Sequence, residues 1–272
     1  MDTFELLRTL TETPGPSGFE ADIAAIVQEI WEPLVDEIHQ DRLGNLIGIK
    51  HGRGDLPEGQ KRPRILIAAH MDEIGLMVSN IIEHNGYGYL RVINLGGIDI
   101  RQLFNQRVVV HGQRNLPGLL GSIPGWMLPK EKQGKPYDYE SLVVDTGLSY
   151  EELKQFVSIG DAITFKQPLR KLRSGHATGK SLDNRCAVTA TTLCLEYLQD
   201  RHHLWDVIAV ATVQEETGLR GAPVSSFSYQ PDLAVALDVT FAEGPGTSDP
   251  GTYKMGSGPV IGRMPDTHLG VQ

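Results

Sequence analysis

Three uninterrupted apolar runs, each ending in residues able to bind a metal or move a proton, organise this sequence. Residues 65–69 lead into His70-Met71-Asp72-Glu73, residues 207–213 lead into Gln214-Glu215-Glu216, and residues 233–237 lead into Asp238. Continuous apolar runs of this length predict parallel strands covered on both faces. Ligands of open α/β sheets bind beyond the carboxyl ends of such strands, so the three polar endings are expected to share one pocket.

The remaining pattern sorts into helical and strand-like stretches. A short helix is predicted over residues 4–10, stopped by Pro14-Gly15-Pro16-Ser17-Gly18. A second follows from about residue 20, where Ile23, Ile26, Val27, Ile30, Trp31 and Leu34 form one apolar stripe at three- and four-residue steps. Strands are predicted at 46–49 and 65–69, with a polar loop between them. After Glu73, short strand-like pieces at 76–82, 87–93, 107–111, 118–123, 142–144 and 162–165 alternate with turns rich in Gly, Pro and Asn. That texture predicts a small β-barrel or sandwich. A long helix at 184–198 precedes a strand, helix and strand over 207–239. The expected organisation is an α/β domain built from residues 1–73 and 169–272, interrupted by a β-rich insertion at 74–168.

Composition narrows the partners more than the chemistry. A net charge of −9 over 272 residues argues against nucleic acid, which calls for a basic face. No apolar stretch approaches the roughly 20 residues of a membrane span, and no basic-then-apolar leader opens the chain. Cys186 and Cys194 fall on one predicted helix, about 12 Å apart, too far for a disulfide. Reduced thiols suit a cytoplasmic protein.

At the strand ends, a His two residues before an Asp can supply a metal ligand together with the carboxylate that fixes its tautomer. His70 and Asp72 fit that role, although a core histidine beside a surface acid has the same spelling. Glu73 carries no assigned role and is expected to be solvated or bonded within its loop. Asp183, in Gly179-Lys180-Ser181-Leu182-Asp183-Asn184-Arg185, fits a helix N-cap, or a carboxylate bridging two metals. Of the adjacent Glu215 and Glu216, one suits a metal and the other a proton-carrying base; two solvated loop acids are the alternative. Asp238 fits a ligand or an Asx-turn. Histidines 39, 51, 84, 111, 176, 202 and 203 fall in loops, the insertion or a helix end, and read as surface residues. The G-x-S-x-G elbow, the P-loop and paired C-x-x-C motifs are absent from the sequence, which disfavours serine hydrolases, nucleotide triphosphatases and zinc ribbons.

Three segments, residues 69–78, 179–185 and 212–222, together with Asp238-Val239-Thr240 and Gly256-Ser257-Gly258-Pro259-Val260, closely resemble the tetrahedral aminopeptidases. That family includes glutamyl aminopeptidases and proteins labelled endoglucanase M. The resemblance implies a three-layer α/β/α exopeptidase domain interrupted by a PDZ-like or β-barrel domain used in dimer contacts. It implies two divalent ions per subunit, Zn2+ or Co2+. His70, Asp183 and Asp238 would hold one ion, Asp183 would bridge to the second, and Glu216 would bind that second ion. Glu215 would be the general acid/base and Asp72 would orient His70. Short peptides would be the substrates, and dimers would assemble into a tetrahedral dodecamer.

The resemblance also implies a further histidine ligand from a segment well beyond Asp238, and Gln272 is reached before any such position. His268 is a candidate substitute within a loop-like tail. The chain therefore reads as C-terminally short for the family, and an inactive or assembly-only member is an alternative expectation. Paired carboxylates also permit a glycosidase, but His70 and Asp183 would then have no task.

Overall fold

The computed structural model describes residues 1–127, 130–131, 133–134, 138–246 and 251–261, and falls into two compact units, Met1–Asp238 and Val239–Gln272. In the first, α1 (Thr3–Glu12) begins where Asp2 accepts the N–H groups of Phe4 and Glu5, a side-chain N-cap. Helix α2 (Ala21–Trp31) buries Ile23, Ala24, Val27 and Trp31 along the stripe its sequence predicts. Strands β1 (Glu37–Gln40), β2 (Leu46–Lys50) and β3 (Arg64–His70) follow.

The β-rich insertion forms a closed barrel. Its strands are β4 (Gly75–His84), β5 (Tyr87–Leu95), β6 (Arg107–His111), β7 (Asn115–Gly121), β8 (Val143–Ser149) and, after helix α3 (Tyr150–Phe156), β9 (Ala162–Phe165). Neighbours run in the order β4-β5-β8-β7-β6-β9, with β9 closing onto β4. Leu76, Val78, Leu90, Val110, Leu120, Val144 and Ile163 fill its interior. Closure removes the free strand edges that would invite aggregation.

A small hairpin, β10 (Arg170–Lys171) with β11 (Ala177–Thr178), leads back to α4 (Leu182–Tyr197), β12 (Asp206–Thr212), α5 (Gly221–Tyr229) and β13 (Leu233–Ala236). The sheet order is β1-β2-β12-β3-β13. Strand β12 lies antiparallel to β2 and parallel to β3, which pairs in parallel with β13. The three apolar runs are therefore neighbouring parallel strands whose carboxyl ends emerge on one side.

Both faces of the central strands β2, β3 and β12 are covered, whereas β13, expected to be buried, lies at the sheet edge and is largely exposed. One core joins Leu10, Ile23, Trp31 and Val188 of the helices to Ala69, Ala209 and Ala211. The other face packs Leu66, Ala68, Ile208 and Val210 beside Tyr229 of α5. Trp31 is fully buried, its indole N–H donating to Thr192 Oγ1 at 2.8 Å. Its ring lies so close to β2 that a Cβ at Gly48 would stand 3.2 Å from it, which explains glycine mid-strand.

Several elements differ from expectation. Strand β1 is largely exposed and polar, an edge strand with no apolar run to announce it. Strand β8 extends well past residue 144, and β7 lies earlier than the 118–123 stretch. Helix α3 was not expected, although Ser149 and Glu152 form a reciprocal capping box at its start. In the second unit, Ala242 and Tyr253 form a parallel bridge.

Replacing Trp31 with alanine removes the largest buried side chain of the helix–sheet core. A loss of about 3–5 kcal/mol is expected, read as a lowered midpoint in urea unfolding monitored by circular dichroism.

Candidate active site and metal centre

The parallel register of β3 and β12 sets Thr212 opposite His70, so the residues following each strand meet. Asp72 is fully buried and accepts the backbone N–H of Glu215 and of Glu216, each at 3.1 Å. His70, also buried, turns Nδ1 toward Asp72 Oδ1 at 3.3 Å and Nε2 toward Asp183 Oδ1 at 3.0 Å. Glu215 Oε2 and Asp238 Oδ1 lie 3.7 and 4.0 Å from the same Nε2. Asp238 arrives there because β13 continues alongside β3, Leu237 N–H donating to Ala68 O at 2.8 Å.

Asp183 does not cap a helix N-terminus. It and Asn184 carry non-helical backbone angles within α4, and its carboxylate accepts from His70. Two groups of donors lie close enough to grip a cation: His70, Glu215 and Asp238, and His70, Asp183 and Glu216. Both share His70, so one imidazole stands between two pairs of carboxylates. Glu215, expected as a base, is thus as near to the imidazole as an expected ligand. His268 lies outside the described residues.

The titration behaviour reports a pocket short of positive charge. Burial opposes protonation of His70, yet its bonds to Asp183 and Asp72 and the charge of Glu215 prevail, pushing its pKa up to about 10. Burial, then the charge of Asp183, pushes Glu216 up to about 7. Glu215 is raised by burial and by Asp238, with His70 opposing. Asp72 goes the other way: burial is outweighed by His70 and the two backbone N–H donors. Four carboxylates facing one imidazole are what a divalent cation would neutralise, and mixed carboxylate–imidazole donors suit Zn2+ or a similar ion.

A second layer went unread in the sequence. Glu73 is buried: it accepts Gly15 N–H at 3.0 Å and a Ser181 hydroxyl, and it pairs with Lys180 Nζ at 2.6 Å. It is loop-bonded, as one of its expected alternatives had it, and not solvated. Glu20 Oε1 accepts Gln214 N–H at 3.0 Å, bracing the loop that carries Glu215. Arg185 is fully buried, donating to Leu10 O at 2.5 Å; burial lowers its pKa to about 10 against the pull of Glu73, Asp72 and Glu20. A lone buried acid has no periodicity, so the charge balance of these groups emerges only in three dimensions. Gly96 was equally silent: its φ is +86°, and a Cβ there would meet Glu216 at 3.1 Å.

The pattern of the M42 glutamyl aminopeptidases matches residues 44–270. The chain belongs to that family. It is accordingly a hydrolase of the aminopeptidase type. A lysyl aminopeptidase of Pyrococcus furiosus is 35% identical over 268 residues, which are 96% of this chain and 73% of that protein. The TET aminopeptidase of a Thaumarchaeota archaeon superposes with a TM-score of 0.85 at 36% identity, over 95% of this chain and 72% of that one. The TET1 peptidase of Pyrococcus horikoshii, described as assembling into a tetrahedron or a large octahedral shell, gives 0.78 at 33% identity, over 91% and 72%. These M42 neighbours share the α/β fold with its inserted barrel. Among the described residues no helix is long and apolar enough to cross a membrane.

Glu216 and His70 both bind protons more tightly in the folded chain than their ordinary values of 4.5 and 6.5. The resulting stabilisation is complete below those ordinary values and fades as pH rises through about 7 and about 10. Metal-free protein is therefore expected to lose Tm from about pH 4.5, through the titration of Glu216, up to about pH 10, through that of His70. Glu216→Gln should flatten the lower part of that slope in differential scanning calorimetry.

Proposed function

We propose that this chain removes N-terminal residues from short peptides by metal-assisted hydrolysis, with Glu215 as general acid and base. The observation that carries the reading is the convergence of His70, Asp183, Glu215, Glu216 and Asp238 around one imidazole nitrogen. His70, Asp183, Asp238 and Glu216 would hold two divalent ions, Zn2+ or Co2+, with Asp183 bridging. Bound there, the ions would supply Lewis acidity to the scissile carbonyl.

The chain's own residues do the rest. Asp72 engages Nδ1 of His70, which commits Nε2 to the cluster of carboxylates. The same carboxylate, through the N–H groups of Glu215 and Glu216, holds both glutamates at the pocket. Glu215 takes a proton from the attacking water at a carboxylate oxygen and passes it to the leaving amine. Water adds to the carbonyl carbon, the C–N bond breaks, and a free amino acid and a shortened peptide leave.

We further infer that residues 1–73 and 169–272 form the catalytic domain and 74–168 the insertion. This division is supported by barrel strands that begin at Gly75 and end at Phe165. We infer that the barrel carries dimer contacts and that dimers build a tetrahedral dodecamer; self-assembly of this kind is supported by the tetrahedron or octahedral shell described for the Pyrococcus horikoshii relative. A cytoplasmic location accords with free Cys186 and Cys194.

A panel of aminoacyl amides, assayed beside elemental analysis of the same protein, tests the function. Glu215→Gln should retain the metal complement and lose turnover by about 10²–10⁴-fold; near-normal turnover in that variant would sink the assignment. Exhaustive chelation should abolish hydrolysis and added Zn2+ or Co2+ restore it, whereas a metal-free preparation that still cleaves the amides would refute metal assistance.

A further inference from the structure

Between the barrel and the segment that opens α4 lies a cavity of about 460 Å3 that reaches from Asp183 to the loop joining β5 and β6. Pockets that enclose small ligands span roughly 300–1,000 Å3, so this one has room for a whole amino-acid residue. Asp183 lines it, but Glu215, Glu216 and Asp238 do not. An aminopeptidase substrate carries its ammonium on the residue being removed, and that ammonium is drawn to carboxylates. It belongs with the acids outside the cavity, which leaves the cavity to the chain that follows the scissile bond.

The walls say what can enter. Ile74, Ile98, Leu103, Phe165 and Leu182 make an apolar surface. The acids among them are already paired: Glu73 with Lys180 at 2.6 Å, and Asp99 with Arg101 at 2.6 Å. Asp183 belongs with His70 to the cluster that would hold the ions, which is where its charge would be met. An ionised side chain entering here would shed water and meet no unpaired partner of opposite charge. Gln102 and Gln167 offer neutral amides able to hydrogen-bond a peptide backbone without demanding charge.

We propose that this cavity is the subsite for the residue immediately after the scissile bond, and that it selects uncharged, chiefly apolar side chains. The proposal rests on the aminopeptidase reading above. It makes the barrel a substrate-binding wall, because Ile98, Gln102, Leu103 and Phe165 all come from the insertion.

Dipeptides sharing the N-terminal residue that the aminoacyl panel favours, and carrying Leu, Phe, Glu or Lys second, are compared with the corresponding amino-acid amide. The amide has nothing to place in the cavity. Leu and Phe in the second position should exceed Glu and Lys by about tenfold in kcat/KM. Ile98→Glu should lower kcat/KM for the Leu and Phe dipeptides by about tenfold while leaving the amide unchanged, and Ile98→Leu should preserve both. A flat dipeptide series, or an Ile98→Glu variant that weakens amide and dipeptides equally, overturns this proposal alone. No hydrolysis of any compound, the amide included, overturns the aminopeptidase reading and the proposal with it.

Discussion

Asp72 is a carboxylate with no exposure to solvent, and an anion in that position persists only if donors and charge surround it. It finds the imidazole of His70 at the end of its own strand and two backbone N–H groups at the end of the neighbouring one. Meeting that requirement aligns the carboxyl ends of β3 and β12. It also fixes the loop from which Glu215 and Glu216 project, and it turns His70 Nε2 toward Asp183, Glu215 and Asp238. The geometry of the pocket thus rests on the parallel pairing of the two strands together with one buried charge.

Around that centre the charges are arranged in two layers. In the inner layer, carboxylates outnumber cations, and the raised proton affinities of His70, Glu215 and Glu216 follow. Behind it, Lys180 and Arg185 are buried against Glu73, Asp72 and Glu20, and burial lowers the proton affinity of each cation. Acids that serve only the scaffold carry their own counter-ions. Acids that face the pocket share a single imidazole, so negative charge exceeds positive charge there.

The barrel enters this picture through close approach. Gly96, just after β5, comes so near Ile74 and Glu216 that a Cβ would stand 2.9 Å from the first and 3.1 Å from the second, and the following loop lines the cavity beside Asp183. An insertion built as a closed barrel, without free strand edges, anchors such a loop in strands at both ends.

The apolar runs at 65–69, 207–213 and 233–237 determined by themselves that three parallel strands would end near His70, Glu215 and Asp238; two of them are buried as a continuous apolar run implies, whereas β13 is an edge strand and largely exposed. The strand-rich texture after Glu73 likewise specified a β insertion, and the ordered motifs identified the candidate ligands. Sequence could not separate a helix-capping Asp183 from one facing His70, since both demand a short acid at the mouth of a helix. Nor could it expose Glu20, Glu73 and Arg185 as buried charges, or the polar edge strand β1, because neither carries an apolar period. Those were decided by tertiary structure: a charge becomes tolerable in the interior only when partners distant in sequence arrive beside it, and folding alone brings Gly15, Lys180 and Ser181 to Glu73.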